Sequence, residues 1–323
     1  MIPNPLVSII TGYYNRESFV DESIQSLLDQ TYENIEIIIF DDHSTDNTLN
    51  KLQLFADRDS RVKLISHKSN LGFVDGLIHA VSLASGKYIA IHGSGDYSYP
   101  QRIEKQVQAF QSATPNLSVV GCFWENYKGG KRIGLYNEKI SAGDDCFNSL
   151  LKRNIFSHGE VMFNIDFYKE VGGYRKFFKF AQDRDLWCRL SLKSNFFIVP
   201  EILYRRINDD ENSVRNNHLK KVKQRFYSSF SVQCAEMRKK YGYDYIDILG
   251  TEAFALRRPD KQTCKDIYTV ALKKYRDGNY KEFEYYYVIL KTQKSHFRAF
   301  ILFLIKKKFL PLNSILRLRN IFK

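Results

Sequence analysis

Two adjacent carboxylates, Asp41 and Asp42, stand where the run Ile35-Glu36-Ile37-Ile38-Ile39-Phe40 ends, and His43-Ser44-Thr45-Asp46 follows them. An apolar, β-rich run of this kind reads as a buried strand, and in an open α/β sheet ligands gather where such strands end. Carboxylates at that edge are costly to bury unless something there needs them. A second strand-like run, Leu6-Val7-Ser8-Ile9-Ile10, ends in Thr11-Gly12-Tyr13-Tyr14-Asn15. Together the two ends predict a pocket with one aromatic and one acidic wall, suited to a flat, hydrogen-bonding ring such as a nucleobase. Two phosphate-binding alternatives fail on spacing. The turn after the first strand holds Gly12 alone, so the three-glycine dinucleotide fingerprint is absent. Ser85-Gly86-Lys87 has the end of a P-loop, but Val81 stands where its first glycine belongs and a strand follows.

The elements that must carry these residues alternate along the chain. Residues 18–30 predict a helix with Val20, Ile24, Leu27 and Leu28 on one face. Ser44 is expected to cap a helix running through Leu49, Leu52 and Phe55. Val62 to Ile65 is a third strand. Asn70-Leu71-Gly72 opens a helix through Ala84 that Ser85-Gly86 ends, and Lys87 to His92 is a fourth strand. Strand–helix alternation predicts an α/β fold, a mostly parallel sheet with helices on both faces.

With the order of elements in place, the motifs resemble those of the family 2 glycosyltransferases. The donor half is carried by Val7-Ser8-Ile9-Ile10, Tyr14-Asn15, Ser26 to Tyr32, Asp41 to Asp46, Asn70-Leu71-Gly72, Ser85 to Tyr88 and Pro100 to Gln106. The acceptor half is carried by Gly172-Gly173-Tyr174 and Gln182-Asp183-Arg184-Asp185-Leu186-Trp187. Each motif is weak alone; their order and spacing over residues 5 to 207 are specific. The resemblance, closest in kind to bacterial cell-surface polysaccharide enzymes, implies a Rossmann-like GT-A fold and inverting transfer of a sugar from a nucleotide-diphosphate donor, UDP- or dTDP-linked, to a glycan or lipid-linked acceptor. It divides the chain into a GT-A domain at 1–214, with a nucleotide-sugar half at 1–110 and an acceptor half at 111–214, and a helical extension at 215–323.

Residue roles follow from the same resemblance. Tyr14 matches the base-stacking position and Asp42 the carboxylate that accepts a base N–H, with Asp41 supporting the loop. Gly12, Asn15 and Asn70 complete the donor-binding set. Gly93-Ser94-Gly95-Asp96 stands where the family carries an Asp-x-Asp that holds a divalent metal. Asp96 alone is acidic there, and it is the expected donor and metal contact for Mg²⁺ or Mn²⁺, ions that often take only one or two protein carboxylates. Asp183 matches the catalytic base, which inverting transfer needs to take the acceptor hydroxyl proton. Gln182 replaces the family's usual Glu, and Asp185 reads as a cap of the following helix. Arg205 and Arg206 offer a cationic partner for the departing diphosphate. His158 lies where acceptor contacts belong, and a structural histidine is equally consistent with its setting.

The totals limit the alternatives. The 323 residues carry a net charge of +13, unevenly spread. Residues 1–120 hold 9 Lys/Arg against 14 Asp/Glu, and residues 215–323 hold 25 against 9. The pocket therefore sits in the acidic part, and the basic part faces another partner. Phe297 to Ile305 is apolar but for Arg298, Lys306-Lys307-Lys308 follows, and Leu310 to Phe322 interleaves apolar and basic residues. Such a tail suits the inner membrane surface, its cations meeting anionic lipid. Nucleic acid is not expected, since no recognisable nucleic-acid motif accompanies the charge. A sugar-nucleotide-binding protein without catalysis is the main alternative, motivated by Gly93 and Gly95. Cys122, Cys146, Cys188, Cys234 and Cys264 are odd in number and scattered, which points to a reducing cytoplasm. The N-terminus has no signal-peptide pattern, and the longest apolar run falls far short of the roughly 20 residues of a membrane span.

Overall fold

The computed structural model describes residues 4–112, 116–209, 218–293 and 295–307. Strands β1 (Val7–Tyr13), β2 (Ile35–Asp41), β3 (Val62–Ser66) and β4 (Tyr88–Ile91) lie parallel in the order β3-β2-β1-β4. Register pairs Val7 with Ile35 on one side and with Tyr88 on the other. Every residue of β1, β2 and β4 is buried, as a strand covered on both faces requires. The period of two then builds two cores. Ile9, Ile37 and Ile39 face helices α1 (Val20–Leu28) and α2 (Thr48–Arg58), together with α4 (Arg102–Ser112). Ile10, Ile38 and Phe40 face α3 (Phe73–Ser82) and the apolar side of α7 (Gln182–Leu190).

Past β4 the sheet becomes mixed. β8 (Met162–Asn164) lies antiparallel on β4, and β6 (Leu117–Lys128) lies antiparallel on β8. β9 (Asn195–Ile207) runs parallel to β6, and the short β5 (Tyr97–Ser98) closes that edge antiparallel to β9. β7 (Lys131–Tyr136) forms a hairpin with β6. This insertion brings the end of β9 against the turn after β4. The small helices α5 (Cys146–Lys152) and α6 (Ile165–Glu170) flank the second half.

The C-terminal helices are α8 (His218–Tyr241), α9 (Tyr245–Leu249), α10 (Lys261–Arg276), α11 (Tyr280–Thr292) and α12 (His296–Lys306), and all but α9 share a core of their own that includes Val222, Ile267, Phe283, Leu290 and Leu302. Arg175 ties them to the sheet domain: Nη1 reaches Asp244 Oδ2 at 2.9 Å and Nε reaches Asp185 Oδ2 at 3.1 Å. Among the described residues no helix is long and apolar enough to cross a membrane. The expected Leu310 to Phe322 stretch lies outside the described residues.

Two local expectations are corrected. Ser44 does not cap α2; its hydroxyl accepts the Asn15 N–H at 3.0 Å, and Asp46 Oδ1 takes the Thr48 N–H at 3.0 Å instead. The sequence is periodic from Asp266 to Lys291 in the manner of a helix, and the structure divides that stretch between α10 and α11. Gly278 turns the chain at φ 72°, a conformation open to glycine at little cost, and Asn279 caps the second helix through Glu282 N–H at 3.1 Å.

Candidate active site

β1 and β2 end side by side, with Tyr13 opposite Asp41, and the loops beyond them are laced together. Asn15 Oδ1 accepts the Thr45 N–H at 2.7 Å, and the Arg16 N–H donates to Thr48 Oγ1 at 2.8 Å. Asn15 (φ 51°) and His43 (φ 66°) are both left-handed, a strain that surrounding bonds must hold. Tyr14 stands out of this lattice, 49% exposed. An aromatic face there can stack on a planar ring. Gly12 has a different explanation from the one expected. A Cβ at Gly12 would lie 2.0 Å from the Phe40 ring, and one at Gly76 would lie 2.5 Å from it. Packing of Phe40 accounts for the glycine.

Asp42 is buried and accepts three hydrogen bonds. Oδ1 takes the Leu71 N–H at 2.8 Å and His67 Nδ1 at 3.1 Å, and Oδ2 takes the Gly72 N–H at 2.9 Å. Asn70 Nδ2 donates to the Asp42 carbonyl at 3.1 Å, so its amide serves the loop. A carboxylate offers about four acceptor positions, which leaves one on Oδ2 for an incoming N–H. Asp41 Oδ2 takes the Ser44 N–H at 2.9 Å, while its Oδ1 is buried without a partner among the described residues. The Asp42-bound loop leads directly into Phe73, whose ring meets His158 edge-on at a centroid distance of 6.0 Å. Lys176 and Asp75 add an ion pair at 3.1 Å. These contacts join the Asp42 loop and the start of α3 to His158 and Lys176 of the second half.

Asp183 lies in the first turn of α7, half-buried, where the helix dipole favours its anion. Ala181, which precedes the helix, is left-handed at φ 58°, another strained residue beside a candidate functional group. Asn154 Nδ2 donates to Asp183 Oδ2 at 2.7 Å; Oδ1 makes no hydrogen bond among the described residues. His158 Nε2 shares a 2.7 Å hydrogen bond with Tyr174 Oη. Burial pushes the His158 pKa down, and the charge of Asp183 works against that fall. Asp185 is occupied differently: Arg175 and Arg189 both grip its carboxylate, which is 1% exposed. Of the two carboxylates in Asp183-Arg184-Asp185, the second is thus structural, and the first is bound at one oxygen only among the described residues.

The expected metal contact does not fit its surroundings. Asp96 is buried, with Oδ2 accepting from Tyr204 Oη at 2.6 Å and Oδ1 from the Ile207 N–H at 2.8 Å. Burial pushes its pKa up, against the pull of its hydrogen bonds and of Arg206 and Arg16. Neighbouring His92 uses both ring nitrogens, Nε2 with Ser23 Oγ at 3.0 Å and Nδ1 with Ser98 Oγ at 3.3 Å. Burial drives its pKa down to about 3, so it is neutral. Among the described residues no group of three or more acidic, His or Cys side chains is arranged to hold an ion.

Arg205 and Arg206 part company. Arg205 donates to Tyr99 Oη at 3.0 Å, lies 3.6 Å from Glu125 Oε1, and is ringed by Tyr97, Tyr99 and Tyr127. It ties β5, β6 and β9 together, which corrects its expected role at the diphosphate. Arg206 points to the other side of β9, half-buried, 6.0 Å from the Trp124 ring. Tyr204, Asn154 and Phe73 were not singled out in the sequence, because their roles rest on partners far along the chain. Glu160 carried a local signal, an acid directly before the apolar Val161-Met162-Phe163. It is buried, its Oε2 lacks a partner among the described residues, and burial pushes its pKa up to about 8.

The description Glycosyl transferase family 2 matches residues 8–172. An uncharacterized glycosyltransferase of Haemophilus influenzae is 33% identical over 225 residues, which span 66% of this chain and 69% of that one. The structure is similar to TarS 1–349 of S. aureus in complex with UDP-GlcNAc, at a TM-score of 0.59 and 13% identity, covering 91% of this chain and 92% of that chain. It is also similar to the mannosyltransferase PcManGT from Pyrobaculum calidifontis in complex with GDP-Man and Mn²⁺, at a TM-score of 0.54 and 14% identity, covering 92% and 86%. At those identities the two structures speak to the fold.

Proposed function

The chain belongs to glycosyl transferase family 2, and on that premise we propose that it moves a sugar, with inversion, from a UDP- or dTDP-sugar to a hydroxyl of a glycan or lipid-linked acceptor in cell-surface polysaccharide synthesis. The observation that carries this reading is Asp183: one oxygen is fixed by Asn154 and the other has no hydrogen-bond partner among the described residues. The acceptor oxygen attacks the anomeric carbon and passes its proton to Asp183 Oδ1. The bond from that carbon to the diphosphate breaks, and the nucleoside diphosphate leaves with the electron pair. A single base suffices, unlike the paired carboxylates of a glycoside hydrolase. Neutral His158, fixed by Tyr174, lines the acceptor side.

At the donor corner Tyr14 stacks on the pyrimidine, and Asp42 Oδ2 accepts its ring N–H. The UDP-sugar held by TarS supports a uracil there. Tyr14→Ala is expected to weaken nucleoside diphosphate binding by about 5- to 50-fold, the range of one lost base–aromatic stack. Tyr14→Phe should restore it. Calorimetric titration with UDP and dTDP measures both; unchanged affinity in Tyr14→Ala would remove the stacking role.

Residues 1–214 form the catalytic domain in this reading, and 215–323 an extension that meets the cytoplasmic membrane surface. Phe297, Phe300 and Phe303 of α12 are exposed at 62%, 56% and 36%, while Leu302 and Ile305 on its other face are buried. Lys306 and Lys307 follow at the same end. An exposed apolar stripe ending in cations fits an anionic interface. Flotation with vesicles containing phosphatidylglycerol should carry the protein upward, and serine at all three phenylalanines should abolish this. Recovery only at the bottom of the gradient would leave the extension as a packing element.

A further inference from the structure

We infer that this enzyme binds its donor diphosphate without a bridging divalent cation, and that the Arg206 guanidinium supplies the positive charge instead. The inference rests on the donor reading above and departs from the metal expected at the turn after β4.

That turn is closed by the protein itself. Gly93 and Gly95 occupy the positions where additional carboxylates would be needed, and neither has room for one. A Cβ at Gly93 would lie 2.2 Å from Asp96 Oδ2. A Cβ at Gly95 would lie 2.7 Å from Phe19 Cβ, on a backbone with φ 86° that disfavours any side chain. The remaining carboxylate, Asp96, is latched. Gly93 N–H donates to Tyr204 Oη at 2.9 Å, Tyr204 donates to Asp96 Oδ2, and the Ile207 N–H holds Oδ1. Both oxygens thus already face protein donors, and an ion there would have to share them with a phenol and a backbone amide. A hard divalent cation takes six or more oxygen ligands, and this turn supplies a single carboxylate, already engaged by protein donors at both oxygens.

The latch also places the substitute. Arg206 immediately precedes Ile207, so the bond that holds Asp96 fixes the arginine backbone at the same turn. Its guanidinium makes no ion pair among the described residues, whereas the adjacent Arg205 is surrounded by tyrosines and two glutamates. The planar fork of a guanidinium matches two oxygens of a diphosphate. Fixed positive charge at that place stabilises the leaving group as the glycosidic bond breaks. The raised pKa values of Asp96 and Glu160 are each opposed by Arg206, which places its charge at this buried end of the site.

Calorimetric titration of the full chain with UDP, dTDP, GDP and CDP, and with their nucleosides, tests this after dialysis against EDTA and again with Mn²⁺ or Mg²⁺ added. The expected result is one diphosphate whose Kd changes by no more than about threefold with metal. Arg206→Met should weaken that diphosphate by about 10- to 100-fold and leave its nucleoside unaffected, with an unchanged melting temperature. Arg206→Lys should recover part of the loss. Tightening of tenfold or more by Mn²⁺, or diphosphate affinity unmoved in Arg206→Met, would overturn the inference. Binding of no nucleoside diphosphate under any condition would overturn the donor reading and this inference with it.

Discussion

Asp183→Asn is expected to lower turnover by about 10²- to 10⁴-fold, the range measured for a positioned general base, while donor affinity stays within about threefold. The asparagine keeps the shape of the side chain and can still bond to Asn154. It cannot take a proton, so the loss should fall on kcat, with KM for the donor little changed. A residue that merely capped α7 would behave otherwise: its replacement would cost about 1 kcal/mol of stability and leave turnover near wild type. Steady-state kinetics on the purified variant, alongside its melting temperature, separates these outcomes.

Asp185→Asn should show the reverse pattern, a loss of about 3–5 kcal/mol in folding stability with the chemistry preserved in whatever fraction folds. Its carboxylate is the common acceptor for Arg175 and Arg189, and it is almost fully buried. An amide there leaves two guanidinium groups short of a negative partner in a dry setting, which costs more than the pair contributes when intact. Burial raises the Asp185 pKa, but the two arginines outweigh it and hold the group below its ordinary range. That stabilisation is present above the unfolded pKa and lost as the pH falls through the folded one. Arg175 also reaches Asp244, so the damage should spread to the start of α9. Urea unfolding at neutral pH measures the effect; a loss under about 1 kcal/mol would mean that Arg175 and Arg189 find other partners.

The contrast between these two residues shows how much of the site could be read from the chain. The strand ends at Tyr14 and Asp42 and the placement of Asp183 at a helix start were legible, because each depends on local pattern; Asp185 read as a cap, whereas its carboxylate pairs with Arg175 and Arg189 instead. Asp96 was not, since the groups that occupy it come from β9, 108 residues away at Tyr204. Arg205 and Arg206 looked alike in sequence, and only the alternation of a strand sends one among tyrosines and the other toward the turn. Gly12 read as a ligand contact because a glycine at a strand end has that use. The ring of Phe40 on the neighbouring strand gives it another. The parallel half of the sheet followed from the alternation of elements; the antiparallel insertion of β8 between β4 and β6 did not, because strand order is set by long-range packing.

The central claim, a sugar-nucleotide transferase with Asp183 as base, is tested most directly by offering UDP-, dTDP-, GDP- and CMP-sugars to the wild type and to Asp183→Asn, recording binding and slow hydrolysis. The predicted result is that a UDP- or dTDP-sugar binds both proteins about equally and is hydrolysed only by the wild type. Failure of every nucleotide sugar to bind, or equal hydrolysis by the two proteins, would contradict it.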